Sequence, residues 1–295
     1  MERKQLEYFL AIASHGSFSS AAGSLRIAQP TLSYAIRGLE QEVGASLFRR
    51  MGRGVRLTPA GEALVGPARQ VLRDFTRVLT AAQQVTGLIS GRLDIVTVTT
   101  LAVDPLTAFV GAFRKRYPGV EFSIVDPENA AAVIDVVRRG QCEVGLTEHD
   151  VSAPGLEVLN LPEQEVLAVL PPSTVTTDAL SLAELSTLDV VTTPRGTTTR
   201  NVLDSVLAMT GTPPRIAVET SHRAAIIPLV LAGAGATLLP RRLARDAAAQ
   251  GAVVVRLDPP LTRRGVLVWS ADNLSSAAQA FVELVKDWPN DDTPD

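Results

Sequence analysis

Apolar residues in the first 45 positions recur at helical spacing in three short bursts. Leu6, Phe9, Leu10 and Ala13 mark one helix face; His15-Gly16 stops it, and Ser17 stands where a cap for the next helix belongs. The second burst carries Ala21, Ala22 and Leu25, small residues that let a neighbouring helix approach, and ends near Arg26-Ile27-Ala28. The third opens at Gln29-Pro30, where proline is tolerated because first-turn N–H groups have no intrahelical partner. Leu32, Ala35, Ile36 and Leu39 then form one buried stripe and leave Thr31, Ser33, Tyr34 and Arg37 on the other face. Two short helices joined by a tight turn, the second with a compact polar face, predict a helix-turn-helix able to enter a major groove about 12 Å wide. Residues 47–58 read as a glycine-containing hairpin, a wing, with arginines including Arg50 along its flanks and Arg53 near its tip. Guanidinium groups there suit phosphate and a narrow minor groove.

Thr58-Pro59 joins a capping oxygen to a proline at the first helical position. Beyond it Leu64, Ala68, Val71, Phe75, Val78, Ala82 and Val85 advance by alternating steps of 4 and 3. A seam of about three heptads predicts a partner helix, and so a dimer; packing of the same seam on its own domain is the alternative. Pro67 lies inside this helix and is expected to bend its first turns.

Past Gly91 the period changes. Residues 93–98 alternate as a strand, 105–117 read as a helix closed by Pro118-Gly119, and 120–125 as a second strand. A helix over 130–139, a turn at Gly140, a strand over 143–147 and a closing helix near 275–288 continue the alternation. Strands alternating with helices predict an α/β domain on a mostly parallel sheet.

Charge separates the two regions. Twelve of the 28 Lys and Arg but only six of the 31 Asp and Glu precede residue 93, so that segment carries +6 and the remainder −9. A basic head on an acidic body fits a head that meets phosphate and a body that does not. The most apolar stretch, 224–240, is interrupted by Pro228, Gly233 and Gly235 and is shorter than the roughly 20 residues a membrane span needs. With no signal-peptide pattern at the start, a cytoplasmic protein is expected. Cys142 is the only cysteine, which excludes an internal disulfide and a multi-thiolate zinc site, and its neighbours suggest a buried strand end.

The run Ser17-Phe18-Ser19-Ser20-Ala21-Ala22, then Leu25, Gln29-Pro30-Thr31-Leu32-Ser33, Ile36, Leu39-Glu40, Gly44, Leu47-Phe48-Arg49-Arg50 and Leu57-Thr58-Pro59-Ala60-Gly61 resembles the LysR-type regulator signature. Weaker matches at Tyr117-Pro118-Gly119-Val120, Glu143-Val144-Gly145-Leu146 and Leu239-Pro240 extend the resemblance over nearly the whole chain. It implies base contacts from Gln29, Pro30, Ser33 and Tyr34, phosphate contacts from Ser17, Ser19, Thr31 and Arg37, and wing contacts from Arg50 and Arg53. Ser17 and Ser19 fit a plain helix cap equally well, and Arg49 has Glu42 as a possible ion-pair partner. Ala28 stands where the family usually has a capping serine, and Tyr34 replaces a commonly basic or amide side chain.

The resemblance also implies the organisation: a winged helix-turn-helix over 1–58, a linker and dimerisation helix over 59–90, and an effector-binding body over 91–295 like a periplasmic binding protein. Its two α/β subdomains would comprise 91–162 with 267–295, and 163–266, with crossings near 161–165 and 263–266. In open α/β sheets ligands sit beyond the carboxyl ends of strands. That rule selects Thr99, Thr100, Leu101, Thr147, His149, Arg195, Thr197, Thr198, Thr220 and His222. Hydroxyls and bases outnumber acids there, pointing to a small organic anion, although threonine is common at strand ends for propensity alone. The implied partners are an imperfect palindromic DNA operator, the effector, RNA polymerase and further copies of the chain, as a dimer or dimer of dimers.

No cofactor or metal is expected. His15, His149 and His222 lack metal-ligand spacing, Gly233-Ala234-Gly235 lacks the preceding strand and third glycine of a dinucleotide loop, and no P-loop or nucleophile elbow occurs, all of which speaks against an enzyme. A solute-binding protein conflicts with the missing export signal and the basic head. A DNA-binding protein without an effector stays open.

Overall fold

The computed structural model describes all residues except 52, 53, 85–88, 128, 149–152, 176, 177, 209, 210, 272, 273 and 290–295. Helices α1 (Arg3–His15), α2 (Phe18–Leu25) and α3 (Gln29–Val43) form the head. Gly16 ends α1 at φ 63°, a left-handed conformation that costs glycine nothing. Ser17 then caps α2 by accepting from the Ser20 N–H. Ala28 occupies the N-cap of α3 without a side-chain bond, and Pro30 follows in the first turn. Leu6, Phe9, Ile12, Leu32, Ile36 and Leu39 fill the head's core.

Strands β1 (Phe48–Met51) and β2 (Gly54–Leu57) pair antiparallel as the wing. The wing is held at both ends. The Phe48 ring packs 5.5 Å from Phe9 and 5.8 Å from Phe18, and the Val55 N–H donates to the Gly16 carbonyl over 2.9 Å. Glu40 accepts from the Leu47 and Phe48 N–H groups, fixing the approach from α3. Arg49 does not pair with Glu42; that carboxylate takes the chain's own N-terminal ammonium.

Thr58 begins α4 (Pro59–Gln84) by accepting from the Gly61 N–H, while its own hydroxyl donates to the Ser46 carbonyl. The first turns of α4 belong to the head: Val65 and Ala68 are buried in its core, with Leu64, Val71 and Leu72 packed against them. This helix also touches the body, where Arg69 donates to the Gln141 carbonyl over 2.5 Å.

The body is built on one eight-stranded sheet. Strands β3 (Gly91–Thr97), β4 (Val120–Val125) and β5 (Val144–Glu148) are parallel neighbours in the order β4-β3-β5. Two long strands follow, β6 (Glu157–Leu170) and β12 (Leu261–Trp269), antiparallel to each other, and β12 is antiparallel to β5. Strands β10 (Thr237–Pro240) and β11 (Val253–Asp258) pair antiparallel with the far end of β6, and β7 (Ala179–Ser181) adds a parallel edge to β11. The sheet is therefore mixed, not mostly parallel, because the two longest strands run against their neighbours. A separate parallel pair, β8 (Asp189–Thr192) and β9 (Arg215–Glu219), meets the start of β10 through one bridge from Val190 to Ala236.

Two lobes result, each with its own core. In the first, helices α6 (Thr107–Arg116), α7 (Ala130–Arg138) and α12 (Ser276–Lys286) bury Phe109, Val133 and Phe281 against β3, β5 and the carboxyl half of β12. Gly145 lies under α7 so closely that an added Cβ would stand 2.7 Å from Val133 and 2.8 Å from Val137. The second lobe divides into two apolar layers, one around Leu203 and Leu257 and one around Val191 and Val230. Its helices are α8 (Leu182–Thr187), α9 (Thr198–Ala208), α10 (Ile226–Leu231) and α11 (Arg241–Ala249).

The helix expected over 105–117 starts late. A single turn, α5 (Thr99–Leu101), follows β3, the chain then kinks within Ala102–Leu106, and α6 begins only at Thr107. Asp104 holds a non-helical φ of −149° and ψ of 119°, as residues before proline are pushed to do.

The first lobe's core rests on an aromatic cluster: Phe113 and Phe281 lie 5.6 Å apart, Phe122 and Phe281 5.9 Å, and Phe109 and Trp288 4.8 Å. Truncating the fully buried Phe281 removes the hub of this cluster and leaves a cavity. Phe281→Ala is expected to destabilise the body by about 3–5 kcal/mol. Urea unfolding followed by the fluorescence of Trp269 and Trp288, both in this lobe, measures it as a lowered midpoint.

Candidate nucleic-acid interface and ligand cleft

The outer face of α3 combines exposure with order. Leu32, Ile36 and Leu39 hold its inner face at 0–2% exposure, which fixes the direction of the opposite side chains. Tyr34 is 81% exposed, and Gln29, Pro30, Thr31 and Arg37 are exposed beside it. The Gln29 amide donates to the Ser33 hydroxyl over 2.9 Å, orienting a side chain whose carbonyl oxygen remains available. Ser19 is exposed at the start of α2, and Ser17 is half-buried in its cap. Such a face offers donors, an acceptor, an aromatic ring and a guanidinium to a groove. Arg53 and the Arg50 side chain lie outside the described residues.

The predicted seam divides in two. Ala68 is 1% exposed within the head, and Leu64 and Val71 pack on the same core, so this part of the repeat serves its own domain. Farther along, Phe75 is 45% and Val78 75% exposed. Arg3 stands 6.0 Å from the Phe75 ring centroid and leaves Val78 uncovered. Val85 and the Ala82 side chain lie outside the described residues.

Between the lobes lies a cleft of about 810 Å³, bordered by Asn129, Glu148, Glu163, Gly196, Asn201 and Arg263. Arg263 projects from β12 beside Gln164 of β6, its partner in the strand register. Its Nε and Nη2 donate to Gln164 Oε1 over 3.0 and 2.6 Å, and Nη1 donates to Thr100 Oγ1 over 2.6 Å. Gln164 Nε2 in turn donates to the Asp104 carboxylate over 2.7 Å. Burial pushes the Arg263 pKa down to about 10, opposed by the nearby charges of Glu148 and Asp104, so the guanidinium stays protonated at neutral pH.

A second polar cluster ties the lobes together. Arg223, just ahead of α10, donates to Asp126 Oδ2 over 2.5 Å and also meets the Thr99 hydroxyl, which itself donates to Asp126 over 2.6 Å. Arg242 on α11 stands 3.9 Å from Asp104.

The ten residues selected at strand ends fall into different surroundings. Thr99 and Thr100 enter the two polar clusters just described. Leu101 is a core side chain at 2% exposure, packed where any Cβ on Gly265 would press on it at 2.8 Å. Thr147 is fully buried, donating to the Ala130 carbonyl. Thr197 shares a 2.5 Å hydrogen bond with Thr193, and Thr198 is buried at the start of α9. Arg195 and His222 are exposed, and the Thr220 hydroxyl accepts from the His222 N–H. His149 lies outside the described residues. Arg223 closes the segment 220–223 that the strand-end rule picks out, whereas Arg263, Gln164 and Asp126 fall outside the segments it marks. A charged residue inside a strand otherwise feeding an apolar core, as Arg263 precedes Val266 to Trp269, is the signal that could have found the first of them.

Among the described residues, no group of three His, Cys, Asp or Glu side chains could hold a metal ion, and no helix is long and apolar enough to cross a membrane. Residues 3–62 match the family model described as a bacterial regulatory helix-turn-helix protein of the lysR family, and residues 86–290 match that of the LysR substrate binding domain. The chain is 30% identical to the HTH-type transcriptional regulator IlvR of Caulobacter vibrioides over 290 residues, 97% of each protein. It is 31% identical to the regulator TfdS of Cupriavidus pinatubonensis over 250 residues, 83% of this chain and 84% of the relative. Full-length CbnR, crystallised with its target DNA, superposes with a TM-score of 0.70 at 22% identity over 97% of this chain and 99% of that one. A full-length OxyR variant from Pseudomonas aeruginosa superposes at 0.73 and 22% identity, over 97% of this chain and 94% of that one. With both halves matched by family models and a relative aligned from end to end, the chain belongs to the LysR family of bacterial DNA-binding transcriptional regulators.

Proposed function

We propose that this regulator reads an imperfect palindromic operator as a dimer, and that a small effector bearing an anionic group, held between the two lobes of the body, modulates that reading. The observation that carries the DNA half is the single exposed face of α3, with Gln29, Thr31, Tyr34 and Arg37 directed outward by a fully buried Leu32-Ile36-Leu39 stripe. Gln29, Pro30, Ser33 and Tyr34 contact base edges; Ser17, Ser19, Thr31 and Arg37 contact phosphate; Arg50 and Arg53 reach the backbone from the wing. Working units are the head over 1–58, the linker helix over 59–90 and the body over 91–295. The protein works in the cytoplasm, beside RNA polymerase at the promoter it regulates.

Exposed Phe75 and Val78 support dimerisation through the distal half of α4, since large apolar side chains in a heptad seam seek a partner helix. The crystallised CbnR complex, a likeness of fold, fits the same use of the head. The effector half rests on the cleft bordered by Arg263, whose guanidinium also reaches Thr100 beyond the carboxyl end of β3.

Fluorescence anisotropy with DNA from the promoter beside the protein's own gene, across a range of salt, tests the DNA reading. Wild-type binding is expected to weaken steeply with salt as phosphate contacts release counterions. Arg37→Ala is expected to weaken all sequences alike and to reduce the salt slope by about 1, whereas Gln29→Ala costs about 1–3 kcal/mol on the operator alone. No retained complex at low salt would refute the reading.

Sedimentation velocity tests the seam. The double substitution Phe75→Glu, Val78→Glu is expected to convert the dimer to a monomer with an unchanged far-ultraviolet spectrum. An unaltered sedimentation coefficient would assign dimerisation to another surface.

A further inference from the structure

We propose that Arg263 is the carboxylate anchor of the cleft, that Thr100 completes the anchor, and that the ligand carries a single carboxylate on an otherwise uncharged body. This deepens the effector reading above and rests on it.

Four arginines around the junction of the lobes each face a carboxylate. Arg223 holds Asp126, Arg241 holds Glu165, Arg242 faces Asp104 and Arg264 holds Glu163 at 2.6 Å. Arg263 differs. Its three hydrogen bonds end on neutral oxygens, two on the Gln164 amide and one on the Thr100 hydroxyl, and among the described residues no carboxylate is in ion-pair contact with it. A guanidinium has five N–H donors, so one on each terminal nitrogen is left for another acceptor. Burying a cation without a bonded counter-charge is costly, and the depressed Arg263 pKa is the electrostatic trace of that cost. A carboxylate in the cleft supplies what is missing, because its two oxygens match the guanidinium fork, and the Thr100 hydroxyl beside Nη1 is close enough to donate to the same group.

The surroundings limit the remainder of the ligand. Glu148 and Asp104 both act on Arg263 electrostatically, and Glu148 borders the same cleft. A second negative group on the ligand would meet their like charge. The Arg264 charge is already balanced by Glu163. A cleft of about 810 Å³ accommodates a small organic acid.

Position gives the anchor its consequence. Arg263 belongs to β12, Gln164 to β6, and Thr100 to the turn after β3, so the Arg263 guanidinium touches both strands that pass between the lobes and the first lobe itself. A carboxylate bound there bears directly on the segment where a change of lobe angle would occur.

The full-length chain is titrated with acetate, isovalerate and benzoate, and separately with malonate, phthalate and phenylphosphonate. Readouts are melting temperature and the arginine Nε–H resonance of Arg263. At least one monocarboxylate is expected to raise the melting temperature saturably and to shift that resonance. Arg263→Gln is expected to weaken this binding at least tenfold and Arg263→Lys by less, with Thr100→Val weakening it without loss of the cation. Dianionic acids and phenylphosphonate are expected to bind more weakly. The proposal is overturned by any of three results: no monocarboxylate moves the Arg263 resonance, Arg263→Gln binds as wild type does, or the dianions bind best. An acid that raises the melting temperature saturably while leaving the Arg263 resonance unmoved overturns this anchor but keeps the effector reading, whereas no rise with any of the six acids counts against both.

Discussion

The antiparallel pairing of β6 with β12 is the constraint on which the body depends. Residues 157–160 of β6 pair with 266–269 of β12 inside the first lobe, and 163–166 pair with 261–264 toward the second. The far end of β6 then accepts β10 and β11. One strand thus contributes to both cores, and neither lobe can complete its sheet without the other. The register slips once, between Arg264 and Val266, where Gly265 allows the chain to pass close over Leu101. The extra residue at that point belongs to β6, where Leu161 and Pro162 together oppose Gly265, and it bends β6 just ahead of Gln164.

The head depends on a different device. Its core is small, and it borrows the first turns of α4, through Val65 and Ala68, to close it. That borrowing makes the linker helix continuous with the DNA-binding unit, so any partner gripping Phe75 and Val78 also sets the orientation of α3. The heptad pattern in the sequence is genuine but carries two functions in succession, intramolecular packing first and an exposed apolar strip afterwards.

Local signals in the sequence proved the most legible. Gly16, Ser17, Pro30 and Thr58 mark helix ends because capping and backbone freedom are properties of single residues, and each stands at the boundary it announces. Periodicity revealed the stripe Leu32-Ile36-Leu39 for the same reason. Strand direction was not legible: alternation of apolar residues is identical in parallel and antiparallel neighbours, so the mixed sheet could not be told from a parallel one. Nor could the sequence separate threonines that line a cleft from those that pack. Thr100 and Thr147 both stand near strand ends, yet one accepts from Arg263 and the other donates to the Ala130 carbonyl within a closed core. Arg263 and Thr100 are 163 residues apart in sequence, and the pairing of β5 with both β3 and β12 brings them together.

The central claim is that an ordered, polar helix face on each of two joined subunits reads DNA. Nuclease footprinting of the full-length protein on the promoter beside its own gene tests this most directly, because protection records both occupancy and symmetry. The account predicts two protected segments on one face of the duplex, related by an imperfect two-fold and separated by about 10 base pairs or a whole multiple of that turn. Absence of protection, or a single unsymmetrical segment, would contradict it.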